Sequence, residues 1–341
     1  MKNITANLFR KKKTQMNNIN NLHNAKIFKN DEYYTRIEDI EREICHYKYH
    51  LKNKIILCNC DNPEYSSFWK YFHLNFNSFG LKSLICIYYN GNKSSYKFIY
   101  NGGNDDNIHI YNKVQLKYNG DFRNNESIKI LIECDIVVTN PPFSLFREYI
   151  LQLIKYNKKF IILGSNNAIT YKEIFILFKN NIVWFGYLNW SSELYFKINQ
   201  EYKEFLLSNK KNGSGYKIIN GEVYARVGCM WYTNLDLKKR HEEIVLNKKY
   251  NLSEYEMFDE LPNVINVNKV IDIPCDYNGY IGVPISFMDK YNPEQFEIID
   301  AVNRYTDCDY FGVNLNVKKR HAHCCSVNGH IVYKRIIIRK K

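Results

Sequence analysis

The sequence predicts an α/β fold: a mainly parallel sheet with helices on both faces, followed by a smaller C-terminal unit. Short apolar runs of the buried-strand kind occupy residues 54–58, 84–88, 135–139 and 160–163. Between them lie segments whose apolar side chains recur at spacings of three and four. Strands that alternate with helices in this way wind into a parallel sheet. After about Asn234 the periodicity gives way to charged and turn-rich sequence, which marks the second unit.

Taken in order, residues 1–30 are Asn-rich, include Lys11-Lys12-Lys13 and carry no acidic side chain. They read as a flexible basic arm, either a solvated terminus or a contact to a polyanion. Order is expected from Asp31. Thr35-Arg36-Ile37-Glu38 matches a capping box, and Ile37, Ile40, Ile44, Tyr47 and Leu51 then share one helical face. The strand at 54–58 ends in a polar turn, Asn59-Cys60-Asp61-Asn62-Pro63. Phe68, Trp69, Phe72, Phe76 and Phe79 give the next helix, ending at Gly80, and their role there is packing.

Beyond the strand at 84–88, Asn, Gly and Ser residues between Asn90 and Asn107 mark turns around a short hairpin. Residues 127–133 are helical. Asp135-Ile136-Val137-Val138-Thr139 is a strand that runs directly into Asn140-Pro141-Pro142-Phe143, where proline ends it. Leu145, Phe146, Tyr149, Ile150, Leu153 and Ile154 form the covering helix, and Thr170-Tyr171-Lys172-Glu173 opens another with a second capping box. Ligands of such sheets bind beyond the carboxyl ends of the strands. Residues 59–62 and 140–143 both fall there. The later chain contains Lys238-Lys239-Arg240-His241 and an Asn328-Gly329 hairpin.

With 341 residues the chain can bury a sizeable core, and 48 Lys and Arg against 35 Asp and Glu give a formal net charge of +13. That balance suits a nucleic acid, although abundant Lys, Asn, Ile and Tyr are also what an AT-rich genome produces. The ten Cys show no regular spacing, and with no secretory signal they read as reduced thiols of a soluble, cytoplasmic protein. No apolar run reaches the ~18 residues of a membrane span. His321, His323, Cys324, Cys325 and His330 fit no common zinc template and read as ordinary strand residues, so no metal is expected.

The chemistry concentrates at residues 140–143. An exocyclic amine such as N6 of adenine is a poor nucleophile, because its lone pair is delocalised into the ring. The Asn140 side-chain oxygen and the Pro141 carbonyl can each accept one amine hydrogen, favouring the tetrahedral geometry in which the lone pair points at an incoming methyl group. Pro141 and Pro142 stiffen the backbone and remove competing N–H donors. Phe143 offers a face on which an extruded base can stack.

Set between its strand and its helix, this motif resembles the catalytic signature of amino-methyltransferases, and in particular of the EcoRI-type adenine-specific DNA methyltransferases. The resemblance extends through Tyr33-Tyr34-Thr35, Asn59-Cys60-Asp61-Asn62-Pro63, Gly120-Asp121-Phe122-Arg123, residues 135–149, Asn166-Asn167-Ala168-Ile169-Thr170 and Tyr291-Asn292-Pro293-Glu294-Gln295-Phe296. It covers the chain from about residue 31 to the C-terminus.

It implies a Rossmann-like S-adenosylmethionine-dependent methyltransferase sheet, S-adenosylmethionine as donor, and N6 of a flipped adenine in duplex DNA as acceptor. It also implies a monomer, with room for a restriction endonuclease counterpart but no direct contact to one. Tyr34 and Thr35 would cover the methionine moiety of the cofactor. Asn59 and Asp61 would lie in the turn beside it, Asp61 either as a ligand contact or as a turn-former. Asp121 would accept the cofactor's adenine amine while Phe122 packs on the ring, and Asn140 would border both substrates.

Arg123, Arg147, Lys238, Lys239 and Arg240 are candidate DNA-phosphate contacts, a solvated charged face being the other reading of the run. The implied division is an arm at 1–30, a catalytic domain at 31–235 and a target-recognition region at 236–341. Two features depart from the usual pattern of the fold: the turn at 59–63 has no glycine, and no acidic residue stands near Tyr88 and Tyr89 to hold the cofactor's ribose. The same motif chemistry would serve an RNA adenine or a protein glutamine methyltransferase, and the glycine-free turn also permits an inactive, methyltransferase-like nucleic-acid-binding protein.

Overall fold

The structure is a computed structural model that describes residues 34–259, 261, 263–302, 326–332 and 334–341. The basic arm, Tyr33, and the discounted His321, His323, Cys324 and Cys325 lie outside the described residues. The chain begins with β1 (Tyr34–Thr35), α1 (Ile37–Ile44), a 3-10 turn (Cys45–Tyr47) and α2 (Lys48–Leu51). There follow β2 (Ile55–Cys58), α3 (Ser67–Leu74), α4 (Phe76–Phe79), β3 (Ser83–Ile87), β4 (Tyr96–Tyr100) and β5 (Asn112–Gln115). Next come α5 (Asn125–Glu133), β6 (Ile136–Thr139), α6 (Phe146–Lys155), β7 (Lys159–Ser165), α7 (Lys172–Lys179) and β8 (Trp184–Phe185). Then β9 (Tyr195–Lys197), α8 (Gln200–Asn209), β10 (Tyr216–Ile219), β11 (Glu222–Arg226) and β12 (Cys229–Thr233) lead into the C-terminal part.

Eight strands form one helix-flanked sheet in the order β5-β4-β3-β2-β6-β7-β12-β8. At its centre β2 runs parallel to both β3 and β6, with Leu57 opposite Ile85 on one side and Val137 on the other. All four residues of β6 are buried, as a strand covered on both faces requires. The margins are antiparallel: β3 with β4, β4 with β5, and β12 with β8. The turn residues after Asn90 return the chain directly, and a short return can only pair antiparallel. The hairpin expected there therefore extends the main sheet.

Both capping boxes give way to other contacts. Thr35 lies in β1, opposite Phe196 of β9, so Arg36 takes the cap position of α1 without a side-chain bond. The Thr170 hydroxyl donates to Asn167 O at 2.8 Å, closing the 3-10 turn Ala168–Thr170, and α7 starts only after Tyr171. The aromatic helix is capped by Ser66, which accepts from Phe68 N and Trp69 N. It divides at Asn75 into α3 and α4 before Gly80.

The described residues divide into two compact units, one within residues 1–158, 162–165 and 193–229, the other within 159–161, 166–192 and 230–341. The first holds a separate sheet of order β1-β9-β11-β10. In the second, β13 (Val264–Asn266), β14 (Tyr280–Pro284), β15 (Phe296–Val302) and, after a hairpin, β18 (Arg335–Lys340) form a sheet of order β13-β14-β18-β15. Phe258, Leu261, Val264, Ile299, Val327 and Ile337 pack together as a core of this unit. The expected hairpin is β16 (Ser326–Val327) with β17 (His330–Ile331). Asn328 and Gly329 both adopt positive φ, the backbone a two-residue hairpin turn demands, and the Asp259 carboxylate accepts both of their N–H groups. Among the described residues no helix is long and apolar enough to cross a membrane.

Gly164 on β7 sets where α6 begins. A Cβ there would overlap the ring of Phe146, the buried first residue of α6. Gly164→Ala is expected to lower the thermal unfolding midpoint by roughly 2–10 °C, the scale of an overpacked core site, as followed by circular dichroism. A midpoint unchanged from the parent protein would contradict the packing described.

Candidate active site

The site is built at the carboxyl ends of β2, β3 and β6. The Thr139 hydroxyl, on the last residue of β6, donates to Asp61 Oδ2 at 2.7 Å. The turn after β2 is thereby tied to the strand that delivers Asn140. Beside it the buried Tyr149 hydroxyl, from α6, donates to Asn59 Oδ1, and burial pushes that phenol well above its ordinary value. It therefore stays a proton donor.

Asn140 donates from Nδ2 to Thr35 Oγ1 at 3.4 Å, which orients the amide plane. Pro141 is buried, and Phe143 opens the short 3-10 turn Phe143–Leu145 with its ring half-buried. Arg147 lies exposed one turn further on.

A pocket of about 200 Å³ lies against these elements. Asn59 and Cys60 line it from the β2 turn, Tyr89 from the end of β3, Gly120-Asp121-Phe122-Arg123 from the loop before α5, and Pro142 and Leu145 from the loop after β6. Phe122 is buried and meets Tyr149 edge-on at 5.0 Å, while Gln152 Nε2 donates to the Phe122 carbonyl at 3.0 Å. Gly120 has φ +77°, and a Cβ there would overlap the Tyr88 carbonyl. Only glycine lets this loop lie against the tip of β3. Asp121 takes a fork of hydrogen bonds from Arg123, which holds its carboxyl below the usual carboxylate range.

The structure thus brings Asn59, Asp121, Phe122 and Arg123 together with the loop at 140–145. Other candidates do not line this pocket. Thr35 contacts Asn140 and is not in the pocket wall, and Tyr34 of β1 pairs with Lys197 of β9. Asp61 is engaged by Thr139, also outside the wall. Of the basic run, Lys238 is exposed. Lys239 Nζ donates to Asp289 at 2.8 Å, and Arg240 stacks on the Trp184 ring at 3.7 Å, with burial drawing its guanidinium below its ordinary value. Tyr89, Leu145 and the anchors Thr139 and Tyr149 were not singled out from sequence. Tyr89 carried a readable signal, as the second residue beyond a parallel strand. Among the described residues no cluster of three or more His, Cys, Asp or Glu could hold a metal ion.

The family described as adenine-specific methyltransferase EcoRI matches residues 21–341. The chain belongs to that family. It is 41% identical to Type II methyltransferase M.EcoRI of Escherichia coli, over 94% of this chain and 96% of that protein. It is 40% identical to a Type II methyltransferase of Mycoplasma genitalium, over 95% and 99% of the two chains. With Type II methyltransferase M.MpnI of Mycoplasma pneumoniae the identity is 36%, over 93% and 97%. No solved structure matches.

For a member of the EcoRI methylase family, the pocket residues suit an adenosyl group. Phe122 supplies an aromatic surface, Asp121 an ionised acceptor, and the Gly120 cradle brings backbone close to the site. The placement of Thr35 gives a test. Thr35→Val is expected to reduce turnover roughly 3–10-fold, the worth of one neutral hydrogen bond, with donor affinity within about twofold of the parent. Steady-state kinetics and calorimetric titration separate the two. A loss confined to donor affinity would instead favour the expected role of Thr35 in covering the cofactor.

Proposed function

We propose that the protein transfers a methyl group from S-adenosylmethionine to N6 of adenine in duplex DNA. The observation that carries this reading is the shared wall: Pro142 and Leu145, from the loop that begins at Asn140, line the same pocket as Asp121 and Phe122. A donor held by its adenine against Phe122 would lie beside the residues that accept the target amine. The glycine-free turn at 59–63, which raised the prospect of an inactive protein, is secured here by Tyr149 and Thr139.

When bound, S-adenosylmethionine supplies an electrophilic methyl group on a positively charged sulfur. The protein's part is positioning and polar stabilisation. Asn140 Oδ1 and the Pro141 carbonyl accept the two amine hydrogens, recovering the lone pair and stabilising the positive charge that develops on N6. Thr35 holds the amide on one side, and the buried Pro141 holds the carbonyl in place.

A paired, stacked adenine commits its amine to thymine, so the base must leave the helix to reach Asn140. The half-buried Phe143 ring is the surface on which it stacks. Phosphate contacts from the basic surface, Arg147 and Lys238 among them, offset the few kcal/mol of extrusion. Residues 236–341 act as the target-recognition region in this reading. The relatives are named as Type II methyltransferases, which favours a DNA acceptor over an RNA adenine or a protein glutamine.

Asn140→Ala is expected to cut methylation of duplex DNA at least ~100-fold, the scale of one lost preorganised acceptor, while donor affinity stays within about threefold. Tritium transfer and calorimetry read the two effects, and near-normal turnover would sink the mechanism. Duplexes carrying 2-aminopurine at the target position should brighten on binding as the base unstacks, and no change in a Phe143→Ala background, where ring quenching is absent, would contradict extrusion.

A further inference from the structure

Asp121 and Arg123 stand two residues apart in the loop that lines the pocket. The Arg123 backbone N–H and Nε both donate to Asp121 Oδ1, each at 2.9 Å, and Nη2 donates to Oδ2 at 2.7 Å. An ionised carboxylate offers about four acceptor directions. Three are filled, so among the described residues one remains, on Oδ2.

The guanidinium is itself restrained. Glu148 of α6 reaches Nη1 at 3.5 Å, and the guanidinium carbon lies 5.3 Å from the centre of the Phe122 ring. The Asp121 backbone N–H donates to Asn119 Oδ1 at 3.2 Å and so fixes the start of the loop. As a contribution to stability the pair is minor, because the Arg123 side chain is 46% exposed. As an orienting device it is specific, since a planar fork fixes both the position and the rotation of a carboxylate.

We propose that Arg123 is a positioning residue for the methyl donor: its fork leaves Asp121 a single acceptor direction and fixes that direction for the donor's adenine amine. This rests on the reading of Asp121 and Phe122 as the adenine site of the donor. It differs from a DNA-phosphate role, in which Arg123 would face the duplex and leave donor binding alone. The fork also keeps Asp121 ionised, with Glu148 and Tyr89 the other titratable groups near Arg123. A carboxyl held below its usual range keeps its acceptor character into more acid solution. Without Arg123 the group returns upward, and donor binding is lost at a higher pH as the solution is acidified.

The test titrates S-adenosylhomocysteine calorimetrically into the full-length protein and into R123A, R123K, D121A and the R123A/D121A double variant. R123A is expected to weaken binding roughly 3–10-fold and to move its acid limb to higher pH. R123K keeps the charge but cannot fork, so it should restore the acid limb and leave the affinity weakened. Because Arg123 acts through Asp121, the double variant should bind as D121A does, with no further loss. If D121A alone binds like the parent, the adenine site lies elsewhere and the underlying reading fails. If D121A weakens binding while R123A does not, or if the two losses simply add, the positioning role is overturned and the underlying reading stands.

Discussion

The hydrogen bond from Thr139 to Asp61, 2.7 Å long, joins the tips of β6 and β2. These two strands are parallel neighbours, and each tip carries one half of the site: the turn at 59–60 lines the pocket, and Asn140 follows Thr139 directly. A single hydrogen bond is worth on the order of 0.5–1.5 kcal/mol. Here it also fixes geometry, because in the proposed mechanism a loop displaced by an ångström at Asn140 would lose alignment between amine and donor. The pocket wall at Pro142 and Leu145 and the start of α6 both follow from the placement of this strand end.

The absence of glycine from the turn after β2 becomes intelligible in this light. In many nucleotide-binding sheets, glycines in the first turn let backbone approach the ligand closely. This chain secures that turn with side chains: Tyr149 holds Asn59, and Thr139 holds Asp61. Close backbone approach is supplied elsewhere, at Gly120, where the loop carrying Asp121 and Phe122 lies against the tip of β3. That contact places the loop beside Tyr88 and Tyr89, the same strand end that lacks an acidic residue.

Much of this was legible in the sequence because it rests on local pattern. The strands at 55–58 and 136–139, the helix after the prolines and the Asn328-Gly329 hairpin follow from period, proline and turn chemistry. The pairing of Asp121 and Phe122 with the loop at 140–145 came from family resemblance, and the pocket unites them. What could not be read depends on partners distant in sequence. Thr35 has the local look of a helix cap, but pairing with Phe196, far along the chain, makes it a strand residue beside Asn140. Lys239 and Arg240 look like a solvated or phosphate-binding run, yet Asp289 and Trp184 engage them within the second unit. A charge run does not announce its partner.

In the proposed mechanism Asn140 and Pro141 act on the N6 amine of a DNA adenine. The most direct measurement incubates the protein with tritiated S-adenosylmethionine and separate duplex DNA, RNA and protein acceptors, then digests the labelled product to nucleosides or amino acids. Label is expected to enter duplex DNA and to co-elute with N6-methyladenosine in its deoxy form. Label recovered in N4-methylcytosine, in RNA, or in a glutamine side chain would contradict it.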